Sequence, residues 1–596
     1  MNEESGMCGI FGYVGSRADA AQIVLEGLRK LEYRGYDSWG IAVAGEARAV
    51  VERRVGKIGR ASTILPSSRA ALGHTRWATH GGVTEGNAHP HLDCTGRLAI
   101  VHNGIVANDV ELRRTLSLAG HELRSQTDTE LIAHRIEDAL KDAPPGPRAL
   151  LDATLTAFRS LRGLNAIAVL DVRSGTLAAA KTGSPLVIGF GRDGQFLASD
   201  AAALLEHTRS VAFVGEGQAV LLDGDRARLF DLATGTESAP AITTVTWEAE
   251  SADRGEHPDF MTKEMHEQPA LLARLARADE PRALAALVEG SDEVFMLGCG
   301  SAAHAAICAQ YLFARAGRRL TVATGSEFGH LLPLVNARSL VVVLSQSGET
   351  IDVLDAARAA RARGARIAAL TNVEGSSLWR MADFTVPLRA GPERCVLATK
   401  SLTAKLALVY LTARALGGES WAEGGVAVER AAHDIALMLT GPRRATLCAI
   451  AEAVASREHL FVLGRGASYP LALETALKIK EVSYIHAEGF AAGELKHGVM
   501  ALIEPGTPCI VIAPGDDTQA DVMAAAMQVK ARGALVIGVS PRSHEVFDHH
   551  VEVADLGDAT AIVNAVPAQI LGYELARLRG HDPDMPRNLA KSVTVK

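Results

Sequence analysis

An α+β unit of stacked sheets, followed by two doubly wound α/β units with parallel sheets, is the architecture the sequence predicts. Three observations carry it. Up to about residue 240, short β-rich runs alternate with Gly, Asn and Asp turns and few helices interrupt them; strands in runs with segregated helices are the pattern of an α+β unit. Beyond about residue 285, buried-strand runs alternate with long Ala-rich amphipathic helices, the pattern of a parallel sheet covered on both faces. Two openings, Leu297-Gly-Cys-Gly-Ser301 and Leu463-Gly-Arg-Gly-Ala467, recur at a constant offset within the same strand–Gly turn–helix order. A duplicated α/β domain is the economical explanation.

Element by element, the first part is expected to place strands at 9–14, 40–44, 98–102, 166–172 and 185–190 and through 211–222, with helices at 18–31 and 129–141. Residues 234–256 carry Glu, Ser, Thr, Asp and Gly without periodicity and read as a linker. In the first α/β series, a strand at 294–298 precedes a helix at 302–316; strand 340–344, helix 351–363 and strand 366–370 follow. The second series runs through 460–464, 470–484, 508–514, 518–532 and 535–539, with helices at 420–455 between the two. The expected domain plan is 8–240, a linker and connecting helix at 241–284, α/β domains at 285–425 and 447–585, and a tail at 586–596.

Composition narrows the function classes. At 596 residues and about 150 per domain, two to four compact units fit. Hydrophobic residues at 48% and charged residues at 22% are globular values. A net charge of −8 argues against binding nucleic acid by bulk charge, although a local basic pocket could hold a phosphate. No apolar run approaches the ~18 residues that span a bilayer, and the acidic start Met-Asn-Glu-Glu-Ser-Gly-Met is no secretory signal. Seven cysteines, scattered and without a Cys-x-x-Cys pair, fit neither a disulfide framework nor a zinc ribbon. The expectation is a soluble, cytoplasmic protein with reduced thiols and no nucleic-acid or membrane partner.

Cys8 stands directly ahead of a hydrophobic strand and beside Gly9 and Gly12. Alone, such a thiol is as well a small core residue. At a mature N-terminus it would carry its own base, since an α-amine of pKa near 7.7–8.0 can accept the thiol proton. Around it stand Leu31-Glu-Tyr-Arg-Gly-Tyr-Asp-Ser38, Gly73-His-Thr-Arg-Trp-Ala-Thr-His80, Asn87-Ala-His-Pro-His91, Val101-His-Asn-Gly-Ile105 and Thr127-Asp-Thr-Glu130. By itself Arg76 reads as a surface charge and Asp128 as the cap of the helix after it. The histidines at 74–91 do not share a helical face, and Pro90 breaks any helix there, so no metal is expected.

Together these segments resemble the N-terminal-nucleophile glutaminase domain of the class II glutamine amidotransferases. The resemblance implies that Cys8 attacks the glutamine side-chain amide. It also implies that Arg76 holds the substrate carboxylate and Asp128 its ammonium, and that the Asn103 side chain and the Gly104 N–H form the oxyanion hole. Trp77, Thr79 and His80 complete the glutamine site, Trp77 matching a tryptophan that gates an ammonia tunnel. Family members begin at the Met before the cysteine and lose it. Here Met1–Gly6 precede Met7, so translation from Met7, or cleavage of the extension, is expected.

Leu340-Val-Val-Val-Leu-Ser-Gln-Ser-Gly-Glu-Thr-Ile351 is a buried strand, a hydroxyl-rich turn and a helix start, an arrangement that suits an anion. N-capping by Ser347 or Thr350 is the plainer alternative. Four hydrogen-bonding side chains, Ser345, Gln346, Ser347 and Thr350, exceed what one cap needs. The loop lacks a Gly-Lys-Ser/Thr ending, so it is no nucleotide P-loop. Lys478 and Glu481 stand three apart, on one helical face.

The 345–350 loop is similar to the phosphosugar loop of sugar isomerase (SIS) domains. Glutaminase and tandem SIS domains together resemble the isomerising glutamine–fructose-6-phosphate aminotransferase family. Met261-Thr-Lys-Glu-Met-His-Glu-Gln-Pro269, Glu474–Glu488, Ala492-Gly-Glu-Leu-Lys-His-Gly498 and the tail Pro586-Arg-Asn-Leu-Ala-Lys-Ser-Val-Thr-Val595 extend the match. The resemblance implies glutamine and fructose 6-phosphate as substrates, no cofactor, and a homodimer. It assigns Lys591 as the Schiff-base amine, Glu481 as the base between C1 and C2, and His497, from the other subunit, as the ring-opening residue. Ser301, Ser345, Gln346, Ser347, Thr350, Val396, Lys478 and Ala590 would surround the sugar phosphate. The family's Cys-Gly-Thr-Ser reads here Cys299-Gly-Ser-Ala302, and its Ala-Ser-Thr-Lys reads Leu397-Ala-Thr-Lys400. Two hydroxyls are therefore replaced. A hydrogen bond to a charged group is worth about 1.5–3 kcal/mol, so an amidotransferase for another keto-sugar phosphate is an alternative, as is a sugar-phosphate-binding regulatory protein.

Overall fold

The computed structural model describes residues 8–593 apart from 142, 144, 145, 225 and 246–253. The chain forms two compact units, one of Met1–Asp253 with Asn588–Lys596 and one of Arg254–Arg587.

In the first unit two antiparallel sheets stack. One runs Thr243–Thr244, Ser210–Phe213, Val187–Phe190, Gly194–Ala198, Gly9–Gly15, Ala70–Arg76, Ser38–Ala44 and Ala49–Val55. The other runs Glu237–Ser238, Arg226–Asp231, Gln218–Asp223, Thr176–Lys181, Asn165–Asp171, Leu98–Gly104 and His91–Leu92. Side chains alternate across a strand, and both faces here are covered. Ile10, Val14 and Leu72 meet Val101, Ala168 and Leu170 between the sheets. Phe11 and Tyr13 turn outward and pack with Ile23, Val24 and Leu28 of helix Ala20–Leu31. Ile100, Ile167 and Val169 face outward against helices Thr129–Leu140 and Pro147–Arg159. Double burial is why these strands read as short apolar runs rather than alternating ones.

The structure departs from the expected elements in several places, and strands Ala49–Val55, Ala70–Arg76, Thr176–Lys181, Gly194–Ala198 and Arg226–Asp231 are additional to those expected. The run at 211–222 is two strands, Ser210–Phe213 and Gln218–Asp223, because Gly215 and Gly217 turn the chain between them. Helices Asp109–Leu118 and Pro147–Arg159 are additional; the first buries only Leu112 and Leu116, whereas the second buries Leu150, Leu151, Leu155 and Phe158 at helical spacing. Two-residue strands at Glu237–Ser238 and Thr243–Thr244 lie in the expected linker, of which 246–253 is outside the described residues.

The second unit opens with helices Phe260–Leu275 and Glu280–Glu289 and holds two five-stranded parallel sheets. The first is ordered Thr321–Thr324, Glu293–Gly298, Ser339–Ser345, Arg366–Thr371, Phe384–Pro387. The second repeats that order with His486–Ala491, His459–Gly464, Pro508–Ile512, Leu535–Ser540 and His549–Glu552. In each, the chain leaves the opening strand to one side and returns to its other side. Loops at the carboxyl ends of these two neighbouring strands therefore diverge and leave a crevice, the usual ligand position in such sheets. Helices Lys400–Leu416, Trp421–Met438 and Gly441–Val454 contribute to one continuous core that extends into both sheets. Among the described residues no helix is long and apolar enough to cross a membrane.

Candidate active sites and family membership

Cys8 precedes strand Gly9–Gly15, whose antiparallel partner is Ala70–Arg76 with Gly9 opposite Thr75. That register sets the thiol against the end of the neighbouring strand: Trp77 N–H donates to Cys8 Sγ (3.2 Å), and the thiol lies 3.5 Å from Trp77 O. Asn103 and Gly104 end a strand of the other sheet, and Asp128 precedes helix Thr129–Leu140. These ends meet around a pocket of about 430 Å³ lined by Cys8, Arg76, Trp77, Thr79, His80, Asn103, Gly104 and Asp128, with His89, His102, Thr127, Thr129 and Ser184. Every residue expected in the glutaminase site is in that lining.

Arg76 is not a surface charge: it is 3% exposed, and its guanidinium donates to the carbonyls of His80, Gly81 and Gly82. Burial lowers its pKa, which Cys8, Asp37 and Asp128 oppose. Asp128 precedes its helix but does not cap it. Its backbone is already helical (φ −72°, ψ −25°), which aims the carboxylate away from the first helical N–H groups, and it accepts from Val106 N–H instead (2.8 Å). Gly104 has φ +145°, and a Cβ there would stand 2.5 Å from Leu164 O, so the oxyanion-hole position demands glycine.

His74 orients Asn103. Its Nε2 lies 3.0 Å from Asn103 Oδ1 and 3.1 Å from His102 O, both acceptors, so Nε2 must carry the hydrogen. The amide oxygen is thereby fixed toward His74, and Nδ2 turns to Cys8, donating to its carbonyl (2.9 Å). Burial holds the His74 pKa down to about 3, so the ring is neutral. Burial also pushes the Cys8 thiol up to about 11, against the Trp77 hydrogen bond and Arg76.

In the second unit, Ser301 begins the helix after strand Glu293–Gly298, and Ser345 ends the adjacent strand. Both therefore flank the crevice where strand order reverses. Ser345 Oγ accepts from Gly348 N–H (3.0 Å) and Ser347 Oγ from Glu349 N–H (3.1 Å). Gly348 has φ +68°, and a Cβ there would meet Ser376 Oγ at 2.1 Å, so the loop is built on glycine. Thr350 precedes helix Ile351–Ala362 without a side-chain capping bond. Gln346, Ser347 and Thr350 are half-buried around the helix start. Val396 is half-buried, its N–H donating to Asp584 O (3.1 Å).

Lys478 is fully buried, not half of a surface ion pair. Its Nζ lies 2.6 Å from Glu481 Oε2 and 3.3 Å from Glu474 Oε1. Burial works against its charge, but Glu474 and Glu481 outweigh it and raise the pKa. Glu474 also takes hydrogen bonds from Ser301 Oγ (2.8 Å) and His304 Nδ1 (2.7 Å). Burial alone would raise the Glu474 pKa; Lys478, His304 and Ser301 hold it down to about 2. Sequence reasoning missed Glu474 and His304; the Ser301 hydroxyl, expected near the sugar phosphate, donates to Glu474. His497 is exposed at the end of the 3₁₀ turn Ala492–His497, and Ala590 and Lys591 are half-buried in the tail.

A glutamine amidotransferase domain family matches residues 74–206, and the SIS domain family matches twice, at 288–415 and 453–576. The chain is 40% identical to the isomerising glutamine–fructose-6-phosphate aminotransferase of Pyrococcus horikoshii, covering 99% of this chain and 100% of that one. The like-named protein of Symbiobacterium thermophilum is 41% identical over the same shares. The chain belongs to the isomerising glutamine–fructose-6-phosphate aminotransferase family. The C-terminal domain of the glucosamine-fructose-6-phosphate aminotransferase of Francisella tularensis superposes with a TM-score of 0.52 at 30% identity, covering 56% of this chain and 99% of that domain. The family's two-part organisation, a glutamine amidotransferase domain and paired SIS domains, matches the change from antiparallel to parallel sheets.

Proposed function

We propose that this aminotransferase hydrolyses glutamine at Cys8 and transfers the nitrogen, shielded from solvent, to fructose 6-phosphate, giving glucosamine 6-phosphate and glutamate. The observation that carries the first half is the convergence of Cys8, Arg76, Asn103, Gly104 and Asp128 on one pocket. A guanidinium suits the α-carboxylate of glutamine, a carboxylate its ammonium, and an amide N–H with a glycine backbone suits a tetrahedral oxyanion. In the second half, Ser345–Thr350 hold the phosphate, Glu481 moves the proton between C1 and C2, and Lys591 forms the Schiff base. Shielding suits the chemistry, because ammonia released into water would be protonated. The domains are divided as 8–240, 285–425 and 447–585, with the tail from 586 serving the sugar site. An exposed His497 fits a residue offered to a neighbouring subunit, hence a homodimer, and a cytoplasmic location suits the free thiols.

Ala302 and Ala398 favour a second reading, an acceptor other than fructose 6-phosphate, since both stand where the family pattern has a hydroxyl. Incubation with glutamine and a panel of ketose phosphates, with the product identified by mass spectrometry, separates the two. Glucosamine 6-phosphate as the main product supports the first reading; a different amino sugar phosphate in its place establishes the second.

His74 is proposed as a positioning residue. His74→Leu is expected to lower kcat for glutamine hydrolysis by about 10²–10³, the effect of losing one oxyanion donor, with KM changed only a few-fold. His74→Gln, which keeps an N–H near the same place, is expected to recover most of it. Equal loss in both variants, or a loss confined to KM, contradicts the assignment.

A further inference from the structure

Away from both sites, Cys94, His121, His134 and Glu137 point one donor atom each at a common centre, all within 4.8 Å of one another. Cys94 lies in the turn between strands His91–Leu92 and Leu98–Gly104, His121 follows helix Asp109–Leu118, and His134 and Glu137 stand one turn apart on helix Thr129–Leu140. Cys94 Sγ is 3.4 Å from His121 Nδ1 and 3.5 Å from His134 Nδ1. Glu137 Oε2 is 3.3 Å from His121 Nδ1 and 3.1 Å from His134 Nδ1. Zinc–sulfur bonds of about 2.3 Å and zinc–nitrogen or zinc–oxygen bonds of about 2.0–2.2 Å, set tetrahedrally, put donors roughly 3.3–3.6 Å apart. The four separations above, 3.1–3.5 Å, lie close to that figure, and all six are within 4.8 Å.

Tautomer chemistry sharpens the point. His121 Nε2 lies 2.9 Å from Asp138 Oδ1, an acceptor, so Nε2 carries the hydrogen. In a neutral ring Nδ1 is then a lone pair, and it faces a carboxylate oxygen and a sulfur. Donor atoms gathered in this way suit a cation at the centre, with protons shared between the imidazoles, the thiol and Glu137 as the alternative arrangement. A carboxylate on the far nitrogen of a ligating histidine is the usual support of a metal-bound imidazole. On His134 the nearest carboxylate to the far nitrogen is that of Glu130, whose Oε1 lies 3.9 Å from Nε2, beyond hydrogen-bond reach. Both imidazoles are shielded, their side chains 4% and 1% exposed.

We propose that Cys94, His121, His134 and Glu137 bind a structural Zn²⁺. With four protein donors the coordination is complete, which leaves no position for substrate. The ion joins the turn at Cys94, the segment at His121 and the helix that follows Asp128 and begins at Thr129, both of which line the glutamine pocket. The site is separate from the histidines of 74–91: His74 is committed to Asn103, and His91 Nε2 to Thr127 Oγ1 (2.9 Å).

The full-length chain, stripped with a chelator, equilibrated with Zn²⁺ and desalted, is expected to retain about one zinc per chain by plasma mass spectrometry. Cys94→Ala with His134→Ala should retain less than a tenth of that, and Asp138→Asn should weaken zinc 10- to 100-fold. Should the ligand variants fail to fold, Co²⁺ added to the stripped wild-type chain is read instead. It should give the visible absorption of a tetrahedral site with a thiolate-to-cobalt band, bleached by Zn²⁺. No retained zinc together with no such spectrum, or zinc retained fully by a folded Cys94→Ala/His134→Ala chain, overturns the proposal and leaves a proton-bridged His–Glu network.

Discussion

Cys8→Ala is expected to lower glutamine hydrolysis by at least about 10⁴-fold, the scale of losing a nucleophile that acts as a unit with its neighbours. Synthesis driven by added ammonium should survive, because Ser345–Thr350 and Glu481, proposed above for the sugar phosphate, lie in the second unit. The pH dependence carries the more specific expectation. With the thiol pushed up to about 11, only about one molecule in 10⁴ is thiolate at pH 7. If pre-formed thiolate were the nucleophile, the rate would climb tenfold per pH unit until near 11. If the α-amine of Cys8 takes the proton, the rate should instead rise to a plateau near pH 8, set by an amine of pKa about 7.7–8.0. That amine exists only where Cys8 is the first residue. Met1–Met7 lie outside the described residues, so the mass of the N-terminus of active enzyme belongs in the same experiment. Activity from a chain retaining Met1, or a log-linear rise through pH 10, rules the amine out.

What the sequence disclosed and what it hid follow one physical division. Cys8, Arg76, Asn103–Gly104 and Ser345–Thr350 sit at strand ends or helix starts in short contiguous motifs, and those motifs carried the resemblance; taken alone, Arg76 reads as a surface charge and Cys8 as a core thiol. The parallel sheets were legible through repeated strand–Gly turn–helix order. Partners chosen across the fold left no such trace. Glu474 meets Ser301 and His304 over some 170 positions, and nothing in local spacing distinguishes a glutamate that orders a site from one on a solvated face. The cluster at Cys94 escaped because its donors come from three segments, with only His134 and Glu137 at helical spacing. Helix Asp109–Leu118 was missed because it buries just two side chains. The short edge strands Thr321–Thr324 and Phe384–Pro387 lacked the apolar runs that marked the central ones.

Glu481→Gln is expected to lower amino-sugar formation by about 10²–10⁴-fold, the range for removing a general base, while glutamine hydrolysis changes little. The structure makes this substitution a clean probe. Lys478, buried beneath the site, keeps its ion pair with Glu474 at 3.3 Å when Glu481 loses its charge, so no lone buried charge is created. Lys478→Met is the contrasting case: it leaves Glu474 in the interior without its main cation, and breaking one side of a buried pair costs about 3–5 kcal/mol. That variant should lose stability and synthesis together, whereas Glu481→Gln should melt near wild type. Lys591→Ala completes the set. It too should stop synthesis and spare hydrolysis, but it removes the Schiff base, so borohydride should trap the ketose on wild type and on Glu481→Gln and not on Lys591→Ala. Trapping that survives the lysine substitution would place the Schiff base elsewhere. Equal loss of hydrolysis and synthesis in Glu481→Gln would mean that the two halves do not divide the chemistry as proposed.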